Sequence, residues 1–138
     1  MPIQYPVAAG SILLCDYNTG FREPEMVKRR PVIVVCRHLP HRGSLCTVVP
    51  LSTTPPRIEV PYVHKIVLEK AISQAFAETE MWAKIDMMAT VAFNRLDMFR
   101  TSRDQTGKRR YFVPKITAQE LQAIRAGIAY VCGIDPSH

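Results

Sequence analysis

The chain has no apolar run near the roughly 18 residues of a membrane span. Its start, MPIQYPVAAGS, lacks a basic segment followed by an apolar one. The default expectation is therefore a soluble cytoplasmic protein with no membrane partner. C-x-x-C pairs are missing too: Cys15, Cys36, Cys46 and Cys132 stand apart, three of them inside apolar runs. That spacing argues against zinc, so no metal is expected, and it points to buried free thiols in a reducing compartment. The scarce charge is the negative one, with twelve Asp and Glu against eighteen Lys and Arg, a net of +6.

What is present fits one globular domain over residues 1–138, because 47% of the residues are apolar and 22% charged. The mean hydropathy of −0.03 is far from the signature of a disordered chain. The positive excess is not spread evenly. Residues 21–43 hold Arg22, Lys28, Arg29, Arg30, Arg37 and Arg42 against Glu23 and Glu25, a net of +4. Residues 99–115 hold six bases against Asp104, a net of +5, and the remainder sums to −3. Clustering of this kind suits a polyanion, since each neutralised phosphate releases condensed counterions. Two solvated loops would show the same clustering.

Along the chain, GSILLCDY (10–17) reads as a strand ending at the Asn18-Thr19-Gly20 turn signal. A polar loop leads to PVIVVCRH (31–38), whose continuous β-branched run marks a strand buried on both faces or at the centre of a barrel. SLCTVVPLS (44–52) is a third strand, stopped by Thr53-Thr54-Pro55-Pro56. Residues 57–68 read as an edge strand interrupted by Pro61, 69–78 as two helical turns or an ordered loop, and 81–93 as one or two short strands. The basic SRDQTGKRR reads as a turn. Thr117 and Glu120 spell a capping box flanked by Ile116 and Leu121, and Leu121, Ile124, Ile128 and Val131 fall on one helical face before Gly133 and Pro136. Strands closed by one helix predict an α+β fold, a small antiparallel barrel or sheet.

GSILLCDY, RRPVIVV, CTVVPLST, WAKIDMMATV and the TAQELQAI helix, in that order, resemble the PemK/MazF toxins of type II toxin–antitoxin systems from Gly10 to about Gly133. The resemblance implies an SH3-like barrel with a C-terminal helix that forms a homodimer. It also implies cleavage of single-stranded RNA at short sequences without metal or other cofactor, and silencing by a cognate antitoxin. Such chemistry must take a proton from a 2′-hydroxyl, protonate the leaving 5′-oxygen and stabilise charge on phosphorus.

Arg30 precedes Pro31, which steers it to extended geometry, and its five-donor fork suits a phosphate held by two oxygens. The family pattern makes it the catalytic arginine. Ser52 stands where the family usually has a phosphate-contacting threonine, and Thr53 offers a second hydroxyl. Asp86, two residues after Lys84, matches the family's acid–base pair, with lysine in place of arginine. On an extended segment the two share a face, where a plain salt bridge between them is an equal alternative. Arg29, Thr53, Lys84, His41 and Arg42 are the candidate RNA contacts.

His38, His64 and His138 match no catalytic motif. Tyr17, Phe21, Phe99 and Tyr111 stack on bases or fill the core. The rival class is a binding protein on the same fold, as in gyrase-poisoning toxins that depend on a C-terminal Trp-Gly-Ile. This chain has Cys132-Gly133-Ile134, which lacks the tryptophan anchor. A barrel that binds nucleic acid without cutting it is the third alternative.

Overall fold

The computed structural model describes residues 2–103 and 105–134. Pro136 and His138 of the sequence reading lie outside the described residues. The strands are β1 (Ile12–Asp16), β2 (Arg29–Val34), β3 (Leu45–Ser52), β4 (Val63–Val67), β5 (Glu80–Lys84), β6 (Ala89–Ala92), β7 (Leu96–Asp97), β8 (Phe99–Arg103) and β9 (Arg109–Phe112), followed by the helix α1 (Ala118–Val131). The pairings between them are antiparallel. The main sheet runs β4-β5-β3-β2-β1-β7, with β6 also on β3 and β8–β9 forming a separate hairpin.

Val32, Ile33, Val34 and Val35 are all buried, as the β-branched run demands, and strand alternation splits them between two cores. Ile33 and Val35 join Val49, Leu51, Ile66, Ile85 and Ile124 under α1. Val32 and Val34 join Leu13, Tyr17, Val48, Val91 and Leu96 on the opposite face. β2 is thus the central wall of the fold.

Several expected boundaries shift. The edge strand is confined to Val63–Val67, which pairs only with β5; residues 57–62, with Pro61 among them, lie outside the ladder. Residues 69–78 form an ordered loop without helix, and 81–93 divides into β5 and β6 around a 3-10 turn at Ile85–Met87. Of the basic segment, Ser102 and Arg103 end β8, Arg109 and Arg110 open β9, and the described residues 105–108 lie between these strands, which have no clean apolar period in the sequence.

α1 starts as its sequence requires. The Thr117 hydroxyl accepts from the Glu120 amide at 3.0 Å while the Glu120 carboxylate accepts from the Thr117 amide at 2.9 Å. At the other end Gly133, at φ +74°, lets its amide reach the Tyr130 carbonyl and the Ile134 amide reach Ala129, a Schellman closure. Val131 does not join the buried face. It is 45% exposed, and the face centres instead on Ile124 and Gly127.

The helix packs closely at Gly127. A Cβ there would lie 2.5 Å from Ile85 Cδ1 and 3.0 Å from the Pro61 carbonyl oxygen. Gly127→Ala is expected to destabilise the fold by about 1–3 kcal/mol through overpacking, despite alanine's better helix propensity. Chemical denaturation should show a lower midpoint; a stabilised variant would contradict this packing.

Candidate active site

Two prolines open the site. The β2–β3 ladder begins at Val32↔Pro50, one residue beyond Pro31, so the missing Pro31 donor costs no ladder bond. On its other edge β3 pairs with β6 up to Val48↔Ala89 and with β5 from Leu51↔Ala83, and Pro50 sits in the gap between them. Where these ladders stop, β2 and β3 part. The opening is a cavity of about 360 Å³ lined by Arg29, Arg30, Pro31, Leu51 and Thr53, with Ala75–Glu78 of the preceding loop and Met81 closing one side.

Arg30 is half-buried, and its Nε donates to the Val27 carbonyl at 3.0 Å. That bond fixes the plane of the guanidinium and leaves the two terminal nitrogens for a ligand, a geometry suited to two oxygens of one phosphate. Thr53 is exposed on the cavity wall, whereas Ser52 is buried, points away by strand alternation and accepts from the Thr54 amide at 3.1 Å. Of the two hydroxyls, the one in the cavity belongs to Thr53.

Asp86 is elsewhere. It lines a second cavity of about 370 Å³ with Tyr17, Phe21, Pro24, Glu25, Met26 and Met87–Ala89. The 3-10 turn begins at Ile85, so Lys84 and Asp86 do not share a face of one extended strand, and among the described residues no ion pair joins them. Lys84 ends β5 opposite Val63 and lines neither cavity. The carboxylate in the Arg30 cavity is Glu78, which the sequence reading missed. Its segment has no period, and the one available signal is its place two residues before β5, beside the end of β3.

Tyr17 forms part of the wall of the Asp86 cavity. Its ring meets Phe21 edge-on at 4.9 Å, with the Arg95 guanidinium 4.9 Å from the Phe21 centroid. Arg95 also donates to the Asp16 carbonyl at 3.0 Å. The buried Tyr17 hydroxyl has no hydrogen-bond partner among the described residues. Burial raises its phenol far above the ordinary value, the adjacent Cys15 adds to that, and the charges of Arg30 and Arg95 oppose it. Tyr17 and Phe99 are core residues, Phe21 is half-buried and Tyr111 is exposed.

His41 and Arg42 sit in the β2–β3 connection, at the other end of β2 from Arg30. Six residue steps lead from Arg30 to Cys36, about 20 Å at the roughly 3.3 Å per residue of a strand, so this pair is not gathered with the Arg30 cavity. Arg42 lines a third cavity, of about 580 Å³. The cysteines also depart from expectation: Cys15 is buried and Cys46 half-buried, but Cys36 and Cys132 are exposed because the chain leaves β2 and α1 just before them. Burial pushes the Cys15 and Cys46 thiols each up to about 11. Among the described residues no three His, Cys, Asp or Glu side chains gather as a metal-ligand set.

An antiparallel, barrel-like sheet closed by one C-terminal helix, with a cationic gap between two prolines, is the class that fold and site define. A family model described as PemK-like, MazF-like toxin of type II toxin-antitoxin system matches residues 8–132. The uncharacterized protein YifN of Escherichia coli (strain K12) is 35% identical over 102 residues, 72% of this chain and 67% of YifN. Among solved structures, an endoribonuclease in complex with its cognate antitoxin from a mycobacterial species is similar with a TM-score of 0.62 at 15% identity, covering 94% of this chain and 98% of that one. MazF (Form-I) from Deinococcus radiodurans has a TM-score of 0.60 at 12% identity, covering 94% and 99%. The structural likeness concerns the fold; the family match carries membership. The chain belongs to the PemK-like, MazF-like toxins of type II toxin–antitoxin systems.

Proposed function

We propose that this toxin is an endoribonuclease that cuts single-stranded RNA by attack of the RNA's own 2′-hydroxyl, without a metal, in the cavity of Arg30, Thr53 and Glu78. The observation that carries the reading is the convergence of two arginines, a free hydroxyl and a carboxylate on one opening. Arg30 stabilises the charge that develops on phosphorus, and Thr53 positions a non-bridging oxygen. Glu78 takes the 2′-hydroxyl proton. The 5′-oxygen leaves with a proton from solvent, and a 2′,3′-cyclic phosphate remains. Asp86 and Glu25, in the cavity walled by Tyr17, offer acceptors to a base edge rather than to the reacting hydroxyl. Arg29 holds a flanking phosphate.

The active unit in this reading is a homodimer, and its silencing partner is an antitoxin with an acidic segment that occupies the same cationic opening. Incubation of the pure protein with single-stranded RNA in EDTA tests the function: cleaved RNA supports it, and bound but intact RNA favours a binding barrel instead. Binding itself should weaken linearly in log Kd against log salt, by about 0.7 per phosphate neutralised. Arg29→Ala should lower that slope by about 0.7, as read by fluorescence anisotropy across a salt series. A slope unchanged by the substitution would remove Arg29 from the phosphate contacts.

A further inference from the structure

The cavity of about 580 Å³ lies at the opposite end of β2 from Arg30, and two of the four cysteines line it. The β2–β3 register pairs Val32 with Pro50, Ile33 with Val49 and Val34 with Val48. It continues one step past β2, where the Val35 amide donates to the Thr47 carbonyl at 3.1 Å. Cys36 lies in the bend that follows; the same register continued one residue further would set it opposite Cys46, and the two thiols are near enough for Cys36 to act on Cys46 electrostatically. Because Val35 and Thr47 carry the ladder bond, the continued register would put Cys36 and Cys46 at a non-hydrogen-bonded position, the closer kind of cross-strand pair. Such pairs have Cα atoms about 4.5 Å apart, within the roughly 4.4–6.8 Å that a disulfide spans. Both side chains line the cavity, so both face the same side.

We propose that Cys36 and Cys46 form a dithiol oxidation site that reacts with hydroperoxides and closes as an intrachain disulfide. Cys36 is exposed and open to the oxidant, while Cys46 is half-buried behind it. Arg37, His38, Arg42 and Arg125 line the cavity beside the two thiols, and no Asp or Glu is among its lining residues. Arg125 is held in place there, with Nε and Nη2 both donating to the Val35 carbonyl at 3.1 and 3.0 Å. Cys132 is the contrasting thiol. It is also exposed but caps the C-terminus of α1 and does not line this cavity.

In the first step the Cys36 thiolate attacks one peroxide oxygen, the O–O bond breaks, and hydroxide leaves to become water, giving a sulfenic acid. In the second, Cys46 sulfur attacks Cys36 sulfur, the S–O bond breaks, and the departing hydroxide takes the Cys46 proton as water. Two thiols are oxidised by two electrons in all, and one hydrogen peroxide is reduced to two waters. The new bond ties the end of β2 to the start of β3 across the cavity mouth.

Treating the full-length protein with hydrogen peroxide, blocking residual thiols and mapping tryptic peptides by mass tests the site. The expected result is loss of two of four titratable thiols, a Cys36–Cys46 linked peptide lighter than its reduced parts by two hydrogens, a rate independent of protein concentration, and full reversal by dithiothreitol. Cys46→Ser should instead leave a Cys36 sulfenic acid that dimedone traps, and Cys36→Ser should abolish the thiol loss. Retention of four thiols, reaction first at Cys132, or a linkage that forms only between chains would overturn the proposal. None of these readouts depends on RNA cleavage.

Discussion

Replacing Arg30 with lysine should slow RNA cleavage by about 10²–10³, equivalent to about 2.7–4 kcal/mol of barrier, the range seen when an oxyanion donor is removed. Lysine keeps the charge but not the fork. In the wild type one guanidinium nitrogen is committed to the Val27 carbonyl and the other two remain for phosphate oxygens. A single ammonium cannot serve the carbonyl and both oxygens in that fixed plane. Single-turnover rates with a short RNA should therefore fall while Kd changes much less, because the lost interaction strengthens only as charge accumulates on phosphorus. A lysine variant that cuts at the wild-type rate would contradict this role.

The second large effect is expected at Glu78. Glu78→Gln removes the proton acceptor while keeping the shape, and general-base loss costs roughly 10²–10⁴ in rate. Glu78→Asp should retain part of the activity. Asp86→Asn is the control that separates the two carboxylates: with its side chain in the cavity walled by Tyr17, it should change which sequences are cut more than how fast the preferred one is cut. If Asp86→Asn abolished cleavage and Glu78→Gln did not, the base would be Asp86, and the two cavities would have to meet in the active form. Circular dichroism of each variant separates a chemical loss from unfolding.

Much of the framework was legible because it follows local rules. The β-branched run Val32-Ile33-Val34-Val35 reads as a buried strand, and Thr117 with Glu120 reads as a helix start, as both turn out to be. The arginine before proline also stood out, since its constraint is written in two adjacent residues. What escaped depends on contacts distant in sequence. Ser52 and Thr53 are adjacent hydroxyls, and only the strand register turns one inward to cap Thr54 and the other into the cavity. Glu78 lies in a segment without periodicity whose Phe76 packs on the core and meets Phe99 edge-on, beside Leu51 and Met81 of the cavity wall. The extended geometry expected at Lys84–Asp86 gave way to a 3-10 turn, because the chain must jog there to shift from β5 to β6 along the same edge of β3. The exposure of Cys36 has the same origin, since β2 ends two residues before it.

Product-end analysis tests internal attack at the Arg30 cavity most directly. A single-stranded RNA that the protein cuts is prepared in two forms, unmodified and with one 2′-O-methyl group at the cut position, and each is incubated with the toxin in EDTA before mass spectrometry. The unmodified strand should give 2′,3′-cyclic phosphate and 5′-hydroxyl ends, and the methylated strand should bind with nearly the same Kd yet remain whole at that position. Cleavage of the methylated bond, or 5′-phosphate ends that form only when a divalent metal is supplied, would contradict the mechanism.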